Sequence, residues 1–124
     1  MTNIADLAIF NGDSNGPKFN LRIENNGDVV LSIWRANFLH AIASSGSLKE
    51  AAQEMKIPLN EAQEKLLEME RGLGFKLTTS TKGELEKTGT HLTAEAEDIL
   101  KKFREFSAGF EAEVIDRFNK SFRT

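Results

Sequence analysis

A chain of 124 residues is one domain's worth of length, and at this size about two thirds of the unfolded surface can be buried without staples. Hydrophobic residues at 40%, charged residues at 28% and a net charge of −3 describe an ordinary globular protein and advertise neither a nucleic-acid nor a membrane binder. Cysteine is absent, which excludes disulfides, thiolate metal sites and cysteine nucleophiles and suits a reducing, cytoplasmic setting. No apolar run approaches the ~20 residues of a membrane span, and Asp6 sits too early for a secretory leader.

Residues 1–17 read as an arm or linker, because Asn11-Gly12-Asp13-Ser14-Asn15-Gly16-Pro17 is a cluster of turn formers. Phe19, Leu21 and Ile23 alternate with polar residues, and Asn26-Gly27 leads into Val29-Val30-Leu31. That pattern predicts a β-hairpin over residues 18–32. From Ser32 the period changes. Trp34, Phe38, Leu39 and Ile42 predict a helix that Gly46 stops, and Ser47 with Glu50 forms a capping box for a short second helix. Pro58 forces a break. Leu59, Ala62, Leu66, Met69 and Leu73 then mark one apolar stripe on a third helix. Residues 75–79 and 84–92 read as two strands around Ser80-Thr81-Lys82-Gly83, and Thr93 is placed to cap a final helix.

In that final helix Ile99, Phe103, Phe106, Phe110, Val114, Phe118 and Phe122 step by three and four, using five of the nine phenylalanines. A continuous helix from Thr93 to Phe122 would run about 45 Å, longer than a compact domain of this size accommodates. It must therefore overhang or bend near Ser107-Ala108-Gly109. An uncovered Phe stripe predicts packing against a second copy, with Ile99, Phe103, Phe106, Phe110, Val114 and Phe118 as the seam of a homodimer.

The order of elements is the winged helix-turn-helix plan: mainly α with small β elements, an N-terminal hairpin and a long C-terminal helix. Three parts follow, an arm (1–17), a winged domain (18–92) and a dimerisation helix (93–124). Small residues Ala51, Ala52 and Ala62 let the third helix sit close to its platform and protrude, so that its polar face can meet a major groove while the wing rests on phosphates. The stretch Phe38 to Leu100 resembles the DNA-binding domain of LysR-type and ModE-type (molybdate-responsive) regulators. The matching residues are Gly46-Ser47, Ala51-Ala52, Met55, Ala62, Leu66, Met69-Glu70, Leu73-Gly74, Leu77 and Leu92-Thr93. The hairpin from Phe19 to Leu31 resembles the ModE-type version more.

The resemblance implies a sequence-specific transcriptional regulator that binds double-stranded DNA as a homodimer. On this expectation Asn60 and Gln63 read adenine, Glu61 or Glu64 accepts from cytosine, and Ser47, Lys49, Lys65, Thr79, Ser80, Thr81, Lys82 and Lys87 contact the backbone. The chain departs from the pattern in having Pro58 where a hydroxyl cap is usual, carboxylates at the start of the third helix, and no arginine after Leu77. Residues 41–87 hold seven Lys/Arg against eight Asp/Glu, so the reading head is near neutral. The bland alternative is the same fold serving protein interaction or dimerisation, with Glu61, Glu64 and Glu68 as a solvated face. Nothing predicts an enzyme: Arg71-Gly72-Leu73-Gly74 ends a helix instead of following a strand, and no nucleophile–base pair is recognisable. His40 and His91 stand apart and predict no metal. No cofactor is expected, and no effector or oxyanion-binding domain follows the final helix.

Overall fold

The computed structural model describes residues 16–80 and 89–122. The chain divides into two compact units, one of Leu21–Phe106 and one of Met1–Asn20 with Ser107–Thr124.

The first unit opens with the hairpin of β1 (Arg22–Asn25) and β2 (Asp28–Ser32), antiparallel, with Asn25 opposite Asp28. Asn26 and Gly27 take φ of 54° and 85°, the positive pair that a two-residue turn between twisted strands demands. The ladder shifts register between Ile23 and Glu24. β1 begins later than the alternation from Phe19 suggests, although pairing continues as the Ile33 N–H donates to the Leu21 carbonyl at 3.1 Å.

Ser32 leaves β2 as the N-cap of α1 (Ile33–Ser45), its hydroxyl accepting from the Arg35 N–H at 3.0 Å. Gly46 closes α1 in the left-handed conformation. Ser47 caps α2 (Leu48–Glu54). Lys56 takes φ 61° in the turn that follows, and α3 (Leu59–Leu73) starts at Pro58, which supplies no side-chain cap. α3 buries Ala62, Leu66 and Met69, as its stripe requires. It crosses β2 so closely that a Cβ on Gly72 would come within 3.0 Å of Val30 Cγ1.

The wing is β3 (Thr78–Ser80) paired antiparallel with β4 (Thr90–Leu92). Two anchors fix its base. The Glu70 carboxylate of α3 accepts the Leu77 N–H at 2.8 Å, and the Thr93 N–H donates to the Leu77 carbonyl at 2.9 Å. Because Leu77 is held by a side chain of α3, the ladder begins at Thr78, later than the run of residues 75–79 suggests. At the other end the Gly89 and Thr90 N–H groups both donate to the Gly46 carbonyl, tying β4 to the α1–α2 corner. The expected strand residues 84–88 lie outside the described residues.

Thr93 caps α4 (Ala94–Ser107): its hydroxyl accepts from the Ala96 N–H at 3.1 Å and donates to the Lys76 carbonyl at 2.7 Å. α4 adds Ala96, Leu100 and Phe103 to a core built on Phe38, Leu39, Ile42, Leu48, Met69 and Leu77. Among the described residues no buried side-chain polar atom lacks a partner.

In the second unit, α5 (Phe110–Phe122) follows Gly109, whose φ of 86° ends the helical run, and the Glu113 N–H donates to the Gly109 carbonyl at 2.9 Å. The helical segment is therefore interrupted at the bend position that the sequence offers. The Phe19 and Phe110 rings lie 6.0 Å apart within this unit, and α5 buries none of its side chains.

Candidate nucleic-acid interface

α3 presents two faces of opposite character. One is locked into the core through Ala62, Leu66 and Met69. The other carries Asn60 and Glu64, exposed, and Glu61, Gln63 and Lys65, half-buried. These five expected contact residues thus share one helix, with Asn60 and Glu64 opposite the core and Gln63 and Lys65 on the two flanks of the buried stripe. Lys49 is exposed in the first turn of α2. Thr79 is exposed and Ser80 half-buried in β3. Thr81, Lys82 and Lys87 lie outside the described residues.

Ser47 does not fit its expected role. It is 2% exposed, and its hydroxyl accepts from the Glu50 N–H at 3.2 Å. Its own N–H donates to Ser45 Oγ at 3.2 Å. The side chain caps α2, and its burial leaves almost no surface for a phosphate.

Charge on α3 is also arranged differently from a solvated acidic face. Glu68 Oε2 pairs with Arg35 at 3.4 Å and with Lys65 at 3.8 Å. The Arg35 side chain is 12% exposed, and it also donates to the Val29 carbonyl. Arg35 thereby joins α1, β2 and α3, and Glu68 spends its charge on it. Glu70, the second acid with an internal task, accepts the Leu77 N–H and pairs with Lys76 at 3.8 Å. Glu61 and Glu64 are left as the acids of the α3 surface near its N-terminus. The importance of Arg35 was missed in the sequence, where the one available signal is an arginine set within the apolar run from Ile33 to Ala36.

The expected seam residues separate into two groups. Phe103 is 3% exposed and belongs to the core of its own domain, so it is not available to a second copy. Ile99 is half-buried, and Phe106 is 54% exposed at the end of α4. In α5, Phe110 is 41% exposed, and Val114 and Phe118 are half-buried. Ile115 and Phe122, at 43% and 44%, extend the same apolar face of α5. Among the described residues no group of His, Asp or Glu side chains could hold a metal, and no helix is long and apolar enough to cross a membrane.

No protein-family model matches the chain, and no curated protein matches it in sequence. Solved structures do match in fold. The CbnR DBD–DNA complex superposes with a TM-score of 0.54 at 21% identity, covering 71% of this chain and 95% of that one. The BenM DBD with benA site 1 DNA gives 0.51 at 16%, covering 64% and 86%. CbnR, a LysR family transcriptional regulator, gives 0.51 at 22%, covering 64% of this chain and 27% of that longer one. At these identities the likeness is one of fold. The chain is a winged helix-turn-helix domain of the architecture seen in those structures.

Proposed function

We propose that this protein is a DNA-binding transcriptional regulator of the cytoplasm, active as a homodimer and without catalytic activity. In this reading α3 lies in the major groove and the β3–β4 wing rests on the phosphate backbone. The observation that carries it is the two-faced α3. Its apolar face is fixed by the core, and its polar surface carries Asn60 and Glu64 opposite that face, with Glu61, Gln63 and Lys65 half-buried beside them. The fold shared with two DBD–DNA complexes supports the same reading. A ModE-type likeness is a finer reading of the same stretch, for which the hairpin from Phe19 to Leu31 speaks most.

Asn60 and Gln63 supply the paired donor and acceptor that an adenine edge needs, and Glu61 or Glu64 can accept from the cytosine amino group. Lys49 and Lys65 neutralise phosphates, with Lys82 and Lys87 as further contacts. The test is fluorescence anisotropy against a randomised duplex pool at several salt concentrations. Binding should weaken steeply with salt as counterions are released, and Asn60→Ala with Gln63→Ala should flatten sequence preference by about 1–3 kcal/mol per contact. Glu61→Gln with Glu64→Gln separates two roles. Loss of preference at a C·G pair marks a reading carboxylate, and a uniform gain in affinity marks an acid that merely repels phosphate. Absence of binding to any duplex at low salt overturns the reading and leaves protein interaction as the use of the fold.

A further inference from the structure

The route from the end of α3 into the wing is pinned twice by one residue. The Glu70 main-chain carbonyl accepts from the Gly74 N–H at 2.8 Å, which closes α3 with Gly74 in the left-handed conformation. The Glu70 carboxylate accepts from the Leu77 N–H at 2.8 Å, three residues further along the chain. Leu77 is fully buried, so it cannot shift without disturbing a packed core. Its carbonyl accepts from the Thr93 N–H at 2.9 Å, and the Thr93 hydroxyl donates to the Lys76 carbonyl at 2.7 Å. The end of α3, the entry to β3 and the cap of α4 therefore meet around Leu77.

The charge of Glu70 is the lesser part of this arrangement. Its side chain is 12% exposed, and its ion partner Lys76, at 3.8 Å, is largely in water. Such a pair contributes little. The buried Leu77 donor is different, because leaving it unpaired is costly. What the position requires is an acceptor at the reach of a glutamate, which glutamine supplies and alanine does not.

Thr79, Ser80, Lys82 and Lys87, the wing residues proposed to touch phosphate, all lie in the chain between Leu77 and Gly89. At the far end of that stretch the Gly89 and Thr90 N–H groups donate to the Gly46 carbonyl. The proposed base contacts begin at Asn60 on α3, the helix that carries Glu70. A duplex held at both places gains from the second contact in full only if the spacing is fixed beforehand, since a loose connection loses part of that gain to ordering.

We infer that Glu70 is a positioning residue for DNA binding. By holding the end of α3 with its carbonyl and the entry to the wing with its carboxylate, it sets the wing against the reading helix so that both engage one duplex. The inference rests on the DNA-binding reading above and names the residue that fixes the geometry between its two contact surfaces.

Two variants separate this role from plain stability. Glu70→Ala removes the side-chain bond and keeps the carbonyl that closes α3, and Glu70→Gln keeps an acceptor without the charge. Because the chain has no cysteine, spin labels can be placed through Leu67→Cys on α3 and Thr79→Cys on β3, both exposed. The distance between the labels should be narrow with Glu70 or with Glu70→Gln, and broad with Glu70→Ala. A narrow distance in all three overturns the inference, and a broad one in both variants overturns the hydrogen bond as its cause. Duplex binding is then measured without labels, on the folded fraction. Glu70→Ala should lower affinity about tenfold and reduce the slope of log affinity against log salt by about 0.9 for each wing phosphate released, with base preference unchanged. Glu70→Gln should restore both. An unaltered slope in Glu70→Ala, with wild-type protein binding DNA, means that Glu70 serves stability alone and overturns the inference by itself. Wild-type protein that binds no duplex overturns the DNA-binding reading instead, and the positioning role falls with it.

Discussion

α4 and α5 follow one another with nearly the same design and different fates. They have 14 and 13 residues, acidic first turns (Glu95 and Glu97; Glu111 and Glu113), basic last turns (Arg104; Lys120) and an apolar stripe each. Both carry spaced ion pairs, Lys102–Asp98 at 2.9 Å in α4 and Arg117–Glu113 and Lys120–Asp116 at 2.8 and 2.9 Å in α5. The carboxylates hold the Lys102 and Lys120 ammonium groups and the Arg117 guanidinium above their ordinary values by hydrogen bonding. Yet α4 buries Ala96, Leu100 and Phe103 and α5 buries nothing. The difference teaches what amphipathicity means. A periodic stripe says that a face needs cover, and the covalent context decides what supplies it. Thr93, bonded to Lys76 at the base of the wing, delivers the stripe of α4 to the domain core.

The largest test of that contrast compares like with like. Phe103→Ala in α4 should cost about 3–5 kcal/mol in urea unfolding, because it opens a cavity in a closed core. Phe122→Ala in α5 makes the same chemical change and should leave the unfolding of the dilute protein within about 0.5 kcal/mol. Equal losses would erase the distinction between the two helices.

A smaller loss should come from Glu70. Its carboxylate is the acceptor for the Leu77 N–H, and Leu77 is fully buried. Glu70→Ala leaves that donor without a partner and should cost about 1–3 kcal/mol, read by the same unfolding curve. The α5 acid Glu113 also has a charged partner, but both groups face solvent. Glu113→Ala should not move the midpoint of the domain measurably.

How far the sequence could be read follows the same division between local and distant causes. The Asn26-Gly27 turn, the left-handed Gly46 and Gly74 ends, the Ser47 and Thr93 caps and the α3 stripe are all settled within a few residues, and all are visible in the sequence. The Arg35–Glu68 pair spans 33 positions and has no local signature. Phe103 and Phe106 are three apart on one stripe, yet one is 3% and the other 54% exposed. Periodicity places both on the same side, but the domain is narrower than the stripe. Ser47 has two readings, cap and phosphate contact; its hydroxyl makes the cap, and at 2% exposure it offers almost no surface to a phosphate.

Ser47 and Lys49 therefore sharpen the functional side of the comparison. Ser47→Ala should lower stability by about 1 kcal/mol while the folded fraction keeps its DNA affinity, since the hydroxyl only caps α2. Lys49→Ala should leave stability alone and lower the slope of log affinity against log salt by about 0.9, one phosphate's worth of counterion. Both are read by pairing an unfolding curve with a salt titration of duplex binding.

The smallest expected effect on the folded domain belongs to Ile115→Ser. Ile115 is 43% exposed in a helix with no buried side chain, so the substitution removes little apolar contact within one chain. Serine is a weaker helix former than leucine or alanine but close to isoleucine, so α5 itself should persist, and far-UV circular dichroism should not change. Unfolding of the dilute protein should shift by less than about 0.5 kcal/mol. Isoleucine is a costly residue to leave in water, at about 1.5–3 kcal/mol of transfer energy when fully covered. If nothing covers it, serine there should be silent at every concentration. If a second copy covers it, the loss should surface only where copies meet, as a dimer dissociation constant raised roughly tenfold in sedimentation. A concentration-independent loss of stability would instead place Ile115 in a core of its own chain and remove the contrast between α4 and α5.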